Sequence, residues 1–516
     1  MYMLHKLREQ GLNVRVFESG TDVGGTWYWN RYPGARCDVE SVDYSYSFSH
    51  DLQQEWDWSE RYPQQPEIFE YAKHVADTFD LRKNIQFETK VTSAHFDDSN
   101  GLWQITTDRG DHVEAQFCIT AVGCLSTWSM PNFPGRDSFE GKSYHTGDWP
   151  KAGVDFTGQR VAVIGTGSSA IQVIPEVALQ AEHLTVFQRT PNFSLPANQR
   201  PLQSGDSAQF KARYDEIREK ARYTPTGLGT ISYGTRSVLE VPPEDLNELL
   251  EEDWTGGGFA MLFAFTDILI NEESNRIIAD FVRSKIRSVV KDPVVAELLS
   301  PTDHPLGTKR ICMDTGYFET YNRPNVELVS VKQTPITAIT PKGVQIGEKV
   351  YEVDSIIYAT GYDAMTGALS RMDIRGHNDR KLVDDWSEGP ASYLGLGVNG
   401  YPNLFTITGP GSPSVLANML TSIEQHVEWI SDCIAYLREN GVQFIEATQE
   451  AQDAWVEHMH ETAHSTLYVK AASWYMGANI PGKPRMLMPY VGGVGIYRLK
   501  CDEVAGANYR GFALAN

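Results

Sequence analysis

Along the chain, short apolar runs alternate with stretches whose apolar residues recur at helical spacing. Met3, Leu4 and Leu7, with Tyr2, form the first such stretch, and Gly11 ends it. Asn13 to Glu18 (NVRVFE) then reads as a short buried strand ending in an acid. Gln159 to Ile164 (QRVAVI) is a second apolar strand. A helix follows through Ile171, Val173, Ile174 and Val177, then a strand from Leu184 to Phe187 that ends in Gln188 and Arg189. From Pro201 to Ser300 the pattern turns helical and polar, with an acid-rich stretch at Glu240 to Asp253 and a long helix around Ile277 to Val290. Strands return at Val326 to Val331, Gly343 to Ile346 and Ser355 to Tyr358, the last entering ATGYD (Ala359 to Asp363). A Gly- and Pro-rich stretch, Gly395 to Ser414, precedes a helix from Ser422 to Leu437, and a Trp/Tyr/Pro-rich tail closes the chain. Strands separated by helices predict an α/β molecule with parallel sheets.

The turn after Ile164 carries the most specific local signal. GTGSSA sets Gly165, Thr166, Gly167, Ser168, Ser169 and Ala170 in a G-x-G-x-x-A pattern between an apolar strand and a helix. Gly165 permits the tight turn and Gly167 lets the backbone approach a pyrophosphate. Ala170 lets helix and strand pack closely, while the helix N-terminus faces the phosphates. The flanking strand and helix make this a dinucleotide site. Arg189, followed by Thr190, stands where an acid would select NAD; an arginine there holds a 2′-phosphate, so NADP is expected. The helix, Gly11, strand and Glu18 near the start form the second half of another such unit. In that unit the acid bonds a ribose hydroxyl about 20 residues beyond the Gly-rich turn. Counting back that far from Glu18 runs off the chain, so this unit is expected to lack its first strand and Gly-rich loop.

Length and composition narrow the partners. The 516 residues exceed what one hydrophobic core serves, so two or three domains are expected. With 41 % apolar and 22 % charged residues the chain can bury large cores. A net charge of −22 argues against nucleic acid or an anionic membrane surface, while local helix N-termini and a few arginines still admit an anionic cofactor. The most apolar run, Phe259 to Phe265, is too short to span a membrane, and Met1 opens into no signal-peptide pattern. The six cysteines show neither CxxC nor zinc-like spacing and read as reduced thiols of a cytoplasmic protein. Cys118 and Cys124 lie in a strand-like run ending at Gly123, not in a redox pair.

Two dinucleotide units imply two redox cofactors, one of them a flavin, because a nicotinamide needs a fixed hydride acceptor. Phe139 to Pro150 (FEGKSYHTGDWP) fits F-x-G-x-x-x-H-x-x-x-W-P, with Phe139, Gly141, His145 and Trp149 at the marked positions. On this stretch the chain resembles the flavin-dependent Baeyer–Villiger monooxygenases. DVGGTWYWNRYPGARCD (Asp22 to Asp38), GTGSSA, Lys309-Arg310, ATGYD and SWYMGANIPGKPR (Ser473 to Arg485) extend the likeness over essentially its whole length. GPGSPS followed by SIEQHVEWI looks closer to the phenylacetone and steroid monooxygenases than to the cyclohexanone enzymes.

The resemblance implies two Rossmann-like dinucleotide-binding domains, one for FAD and one for NADP. The FAD domain is expected at 1–126 and 362–516, and the NADP domain at 127–361 with a helical insertion at about 201–305. It also implies that NADPH, FAD and O2 convert ketones to esters or lactones through a C4a-peroxyflavin. Such chemistry needs a permanent cation in a water-poor site; by resemblance this is Arg310, oriented by Asp38. Lys309 is then a second 2′-phosphate contact. Glu18 would bind the FAD ribose, and Thr26, Trp27, Trp29, Asp38 and Tyr44 would line the flavin. Val91 would touch the adenine side, Met419 the isoalloxazine side, and Trp474 the nicotinamide nucleotide. His145 reads as a structural or hinge residue between domains, and rotation of one domain against the other is expected. The competing readings are an N- or S-oxygenating flavin monooxygenase and a flavin-free NADP(H)-binding protein without catalysis.

Overall fold

The computed structural model describes all residues, Met1–Asn516. Its central feature is a five-stranded sheet in the order Val326–Ser330, His183–Gln188, Arg160–Ile164, Ser355–Tyr358, Lys142–His145, every pairing parallel. The apolar runs read from the sequence supply its inner strands, and Val161, Ala162, Val163, Leu184, Val186, Ile356 and Ile357 are all 0 % exposed. Such strands are buried on both faces, which explains why they read as continuous apolar runs and not as alternation. The helix Ser168–Gln180 lies on this sheet through Val173, Ile174 and Val177.

The helices between Ser204 and Leu299 leave this sheet after Ser194–Pro196 and return to it at Cys312–Asp314, and those two short strands pair in parallel. Leu246, Leu250, Ile278, Val282 and Ile286 from these helices join one apolar core with Val163, Val186 and Ile174. The long helix Glu272–Val289 begins at Asn271, whose side chain accepts from the Glu273 and Ser274 backbone N–H groups.

The remaining parallel strands are short. Val16–Phe17 pairs with Ile85–Gln86, and Cys118–Thr120 pairs with Leu404–Thr406; these two pairs are not bonded to each other. In the larger sheet the equivalent pairs are joined through Arg160–Ile164. The strand expected over Asn13 to Glu18 is thus reduced to two residues, and the run ending at Gly123 forms strand only over Cys118–Thr120. The first helix, Tyr2–Glu9, packs Tyr2, Met3 and Leu7 into the same core as Val427, Ile430 and Ile434 of the helix Met419–Glu439. A four-stranded sheet (Asp373–Arg375, Val91–Asp97, Leu102–Thr107, His112–Ala115), a three-stranded antiparallel one (Ile336–Thr340, Gly343–Ile346, Lys349–Glu352) and an antiparallel pair (Phe444–Ala447 with Phe512–Ala515) complete the strands around these layers. All six cysteines are free, and no helix is long and apolar enough to cross a membrane.

Candidate functional site

The Gly-rich turn sits where the strand Arg160–Ile164 meets its helix. Gly165 has φ of +116°, and a Cβ there would lie 2.4 Å from the Ala359 carbonyl oxygen, so only glycine fits. Thr166 Oγ1 donates to the Thr190 carbonyl at 2.8 Å, tying the turn to the end of the next strand. Gly167 caps the helix, and nothing lies within 4 Å of where its Cβ would be. The helix N-terminus therefore faces open space suited to an anionic group. Ser168 Oγ accepts from Cys312 Sγ at 3.1 Å, Ser169 Oγ lies 3.0 Å from Thr146 Oγ1, and Ala170 is fully buried.

Arg189 is exposed beside this turn. Burial lowers the Lys309 pKa; Asp303, 3.9 Å away, opposes that, and the cations Arg189 and Lys332 push it down further. Three cations thus share one place with a single carboxylate, an arrangement that suits a phosphate dianion.

Arg310 follows directly, before the strand Cys312–Asp314. Its Nε donates to Asp38 Oδ2 at 3.4 Å, one terminal nitrogen donates to the Val415 carbonyl at 3.1 Å, and its guanidinium carbon lies 5.5 Å from the centre of the Phe259 ring. Asp38 Oδ1 accepts from the Met313 backbone N–H at 3.1 Å. The Arg310 side chain is 26 % exposed and that of Asp38 11 %. Burial works against the guanidinium charge, but Asp38 and weaker neighbours, Tyr475 foremost, outweigh it and hold its pKa above the ordinary value. Arg310 is therefore a fixed cation with hydrogen-bond donors to spare.

Asp38 belongs to a segment held from two directions. Tyr32 Oη donates to Gln172 Oε1 at 2.7 Å, and Gln172 Nε2 donates to the Arg36 carbonyl at 3.0 Å; Gln172 lies on the helix that opens with the Gly-rich turn. Beyond Asp38, Asp43 is 1 % exposed and accepts from Gly229 N at 2.8 Å and Thr230 N at 3.3 Å, while its carbonyl accepts from Asn418 Nδ2 at 2.7 Å. These bonds draw a loop between the inserted helices and the start of the helix Met419–Glu439 towards the Arg310 pair.

The other candidates fall into two groups. Thr26, Trp27 and Trp29 form one helical turn; Thr26 and Trp29 are exposed, and Trp27 Nε1 donates to Tyr44 Oη at 3.0 Å. Met419 opens its helix beside the cap residue Asn418, and Trp474 stands against Tyr475 with ring centres 4.2 Å apart. Glu18 and Val91 are on other elements. Glu18 Oε1 accepts from Gly20 N at 2.7 Å, while Oε2 has no protein partner. Val91 starts a strand of the four-stranded sheet and packs with Phe17 against the Trp103 cluster, so it shares a core with the strand leading to Glu18 and makes no contact with the Arg310 pair.

The Phe139–Pro150 motif follows from packing. A Cβ at Gly141 would lie 2.4 Å from the Asp354 carbonyl oxygen and 2.5 Å from the Phe139 ring, so Gly141 lets the edge strand enter beside Ser355. Trp149, 5 % exposed, packs on Tyr144 and Phe156. His145 is 3 % exposed, accepts from Gly147 N at 2.9 Å through Nδ1, and stacks on Trp128 with ring centres 5.0 Å apart. Burial lowers its pKa to about 4.

Sequence reasoning missed the Val415 carbonyl, Phe259, Lys332 and Asp43. Backbone acceptors carry no residue signature, but the triple glycine before Phe259 was a visible signal: Gly257 and Gly258 both have positive φ and present that ring to Arg310.

Comparison with known proteins agrees across the chain. Residues 3–200 match the flavin-binding monooxygenase-like family. Acetone monooxygenase (methyl acetate-forming) of Gordonia sp. (strain TY-5) is 45 % identical over 100 % of this chain and 97 % of its own. Phenazine N-monooxygenase PhzNO1 of Lysobacter antibioticus is 42 % identical over 100 % of this chain and 95 % of its own. The structure of oxidized steroid monooxygenase bound to NADP superposes with a TM-score of 0.95 at 51 % identity, covering 100 % of this chain and 97 % of that one.

Proposed function

The chain belongs to the flavin-dependent Baeyer–Villiger monooxygenase family, and from that premise we propose that it is an NADPH- and O2-dependent oxygenase turning ketones into esters or lactones, with Arg310 and Asp38 at its reacting centre. It is a flavoprotein that uses FAD and NADP. When bound, NADPH supplies the hydride and FAD the activated oxygen. The observation that carries the reading is the fixed guanidinium of Arg310, held at once by Asp38 and the Val415 carbonyl.

The residues present fit NADP, and on the flavin side they fit the ribose and ring portions of FAD. The open helix N-terminus after Gly167 suits a pyrophosphate, and Arg189, Lys309 and Lys332 suit a 2′-phosphate. There, the free Oε2 of Glu18 can take a ribose hydroxyl, and the turn Thr26–Trp29 offers an exposed aromatic surface beside Tyr44.

Arg310 keeps its proton throughout, so its remaining N–H groups can steady negative charge on the ketone oxygen as it grows. Asp38 and Val415 fix which nitrogens remain free, and the Phe259 ring keeps water from one face of the guanidinium. Asp38 acts by orienting Arg310 and needs no proton transfer of its own.

The direct test supplies the purified protein with FAD, NADPH and a ketone panel and identifies the products. Ester or lactone is expected, and Arg310→Ala should lose about 10²-fold or more of that product while still binding NADPH. Unimpaired ester formation in that variant would refute the assignment. N-oxygenation is a second reading, favoured by the phenazine N-monooxygenase relative; heteroaromatic amines in the same panel distinguish it, because an enzyme that oxidised these and no ketone would belong to that reading.

A further inference from the structure

Two loops that face each other carry unusual backbone. Leu394 and Thr408 are both left-handed, with φ of +58° and +53°. A leucine and a β-branched threonine hold such conformations only where their surroundings over-determine them, and such places cluster at working sites.

One side chain spans both loops. His426, 0 % exposed on the helix Met419–Glu439, receives the Thr408 backbone N–H on Nδ1 at 2.8 Å. Its Nε2 lies 2.8 Å from the Tyr497 hydroxyl, which donates to the Leu394 carbonyl at 2.5 Å. A backbone N–H can only donate, so Nδ1 carries no proton. The hydroxyl proton is committed to Leu394, so the neutral ring keeps its proton on Nε2 and gives it to Tyr497. Burial keeps the ring neutral, pushing its pKa down to about 3 with Arg498 acting in the same direction.

The constraint continues beyond Thr408. The Thr408 carbonyl accepts from Ser414 Oγ at 3.1 Å, and Ser414 is itself left-handed at +44°. The next residue is Val415, whose carbonyl accepts from Arg310. We propose that His426 is a positioning residue for oxygenation: its Nε2–H tautomer fixes Thr408 and, through Ser414, the Val415 carbonyl that aims Arg310. This inference rests on the function proposed above.

Two measurements test it. In protein labelled with 15N only at histidine, with His426→Gln used to identify the resonance, His426 is expected to show a neutral Nε2–H ring from about pH 6 to about pH 9. A ring protonated on Nδ1, alone or together with Nε2, would overturn the proposal. The second measurement is the share of oxidised NADPH recovered as ester instead of hydrogen peroxide. His426→Phe removes both polar contacts and is expected to lower that share by about tenfold. His426→Gln can accept from Thr408 with its amide oxygen and donate to Tyr497 with its amide nitrogen, and should restore the share to within about threefold of the parent. Ser414→Ala leaves the imidazole untouched, cuts the next link and keeps the test open if His426→Phe does not fold; it too should lower the ester share. Parent-like shares in Ser414→Ala and in any folded His426→Phe overturn the proposal. Failure of the proposed function looks different, since the parent itself then makes no ester from any ketone although the His426 resonance is as stated.

Discussion

The side of the molecule where we place the nucleotide and the side we assign to the flavin are held together by different means. The first is a five-stranded parallel sheet whose inner strands are apolar and fully buried. The second gathers strands of two or three residues from around positions 16, 85, 118 and 404, and adds directional polar ties to its apolar core. Asp43 takes the Gly229 and Thr230 amides, Glu424 takes those of Ser47 and Phe48, and His426 takes that of Thr408. Apolar packing accommodates small shifts, whereas a buried polar tie has one geometry and leaves an unsatisfied group when broken. On the proposed reading, the first side seats the nucleotide, and the polar ties of the second set the aim of Arg310 and Asp38.

Breaking the seam between the two sides should have the largest effect. Asp38→Ala leaves Arg310 partly buried without its carboxylate and frees the Met313 amide, and should lower ester formation by about 10²-fold. Product yield per NADPH consumed reads this; a loss under about threefold would mean that Val415 alone orients the guanidinium.

Next comes a contrast within the two frameworks. Asp43→Ala strips the Gly229 and Thr230 amides of their acceptor and should cost about 2–3 kcal/mol of stability, with faster hydrogen exchange centred on residues 226–234. Val186→Ala in the large sheet should cost about 2 kcal/mol, felt across the whole sheet. If both variants loosened the same residues, the distinction drawn between polar and apolar support would fail.

Lys309→Ala confines the disturbance to the nucleotide seat. It should raise the KM for NADPH by about tenfold with little change for NADH, if, as we propose, the lysine meets only the 2′-phosphate. An equal rise for both cofactors would place the lysine elsewhere in the site.

The same contrast explains what was legible in the sequence. The strands near 160, 184, 326 and 355 are visible because each is a continuous apolar run, although their partners lie up to about two hundred residues away, and each lies within one residue of where the pattern puts it; the helix after Gly165 shows its apolar period. The flavin side was legible mainly by resemblance. Its strands are too short to show a period, and Cys118–Thr120 finds its partner nearly three hundred residues later at Leu404–Thr406. The antiparallel strands Val91–Asp97 and Leu102–Thr107 alternate half-buried and buried positions, so their apolar content is diluted and no strand was read there. At the site, Arg310 and Lys309 were named by resemblance, since a surface arginine or lysine has the same residue type. The Val415 carbonyl and the left-handed turn at Thr408 leave no mark in composition.

The smallest expected effect probes the border itself. His145 ends the edge strand of the large sheet, and its Nε2 lies 3.3 Å from the Thr360 hydroxyl of the linker leading back to the flavin side. Burial holds its pKa at about 4, against an ordinary 6.5. Between those values the unfolded chain binds a proton at this position that the folded chain refuses. The stability contributed by the neutral ring is therefore complete above about pH 6.5, falls as the solution is acidified, and is exhausted below about pH 4. Asp314 works in the opposite sense: burial raises its carboxyl to about 6, so it favours the folded state as pH falls. A difference measurement removes that contribution, because Asp314 is present in both proteins. His145→Gln keeps an acceptor for Gly147 but cannot titrate, so the thermal midpoint of the parent minus that of the variant should shrink from about pH 7 to about pH 5. A difference that stayed constant over that range would mean that water reaches the imidazole, and that the border between the two sides is open where the packing of Trp128 and Gly147 around this ring closes it.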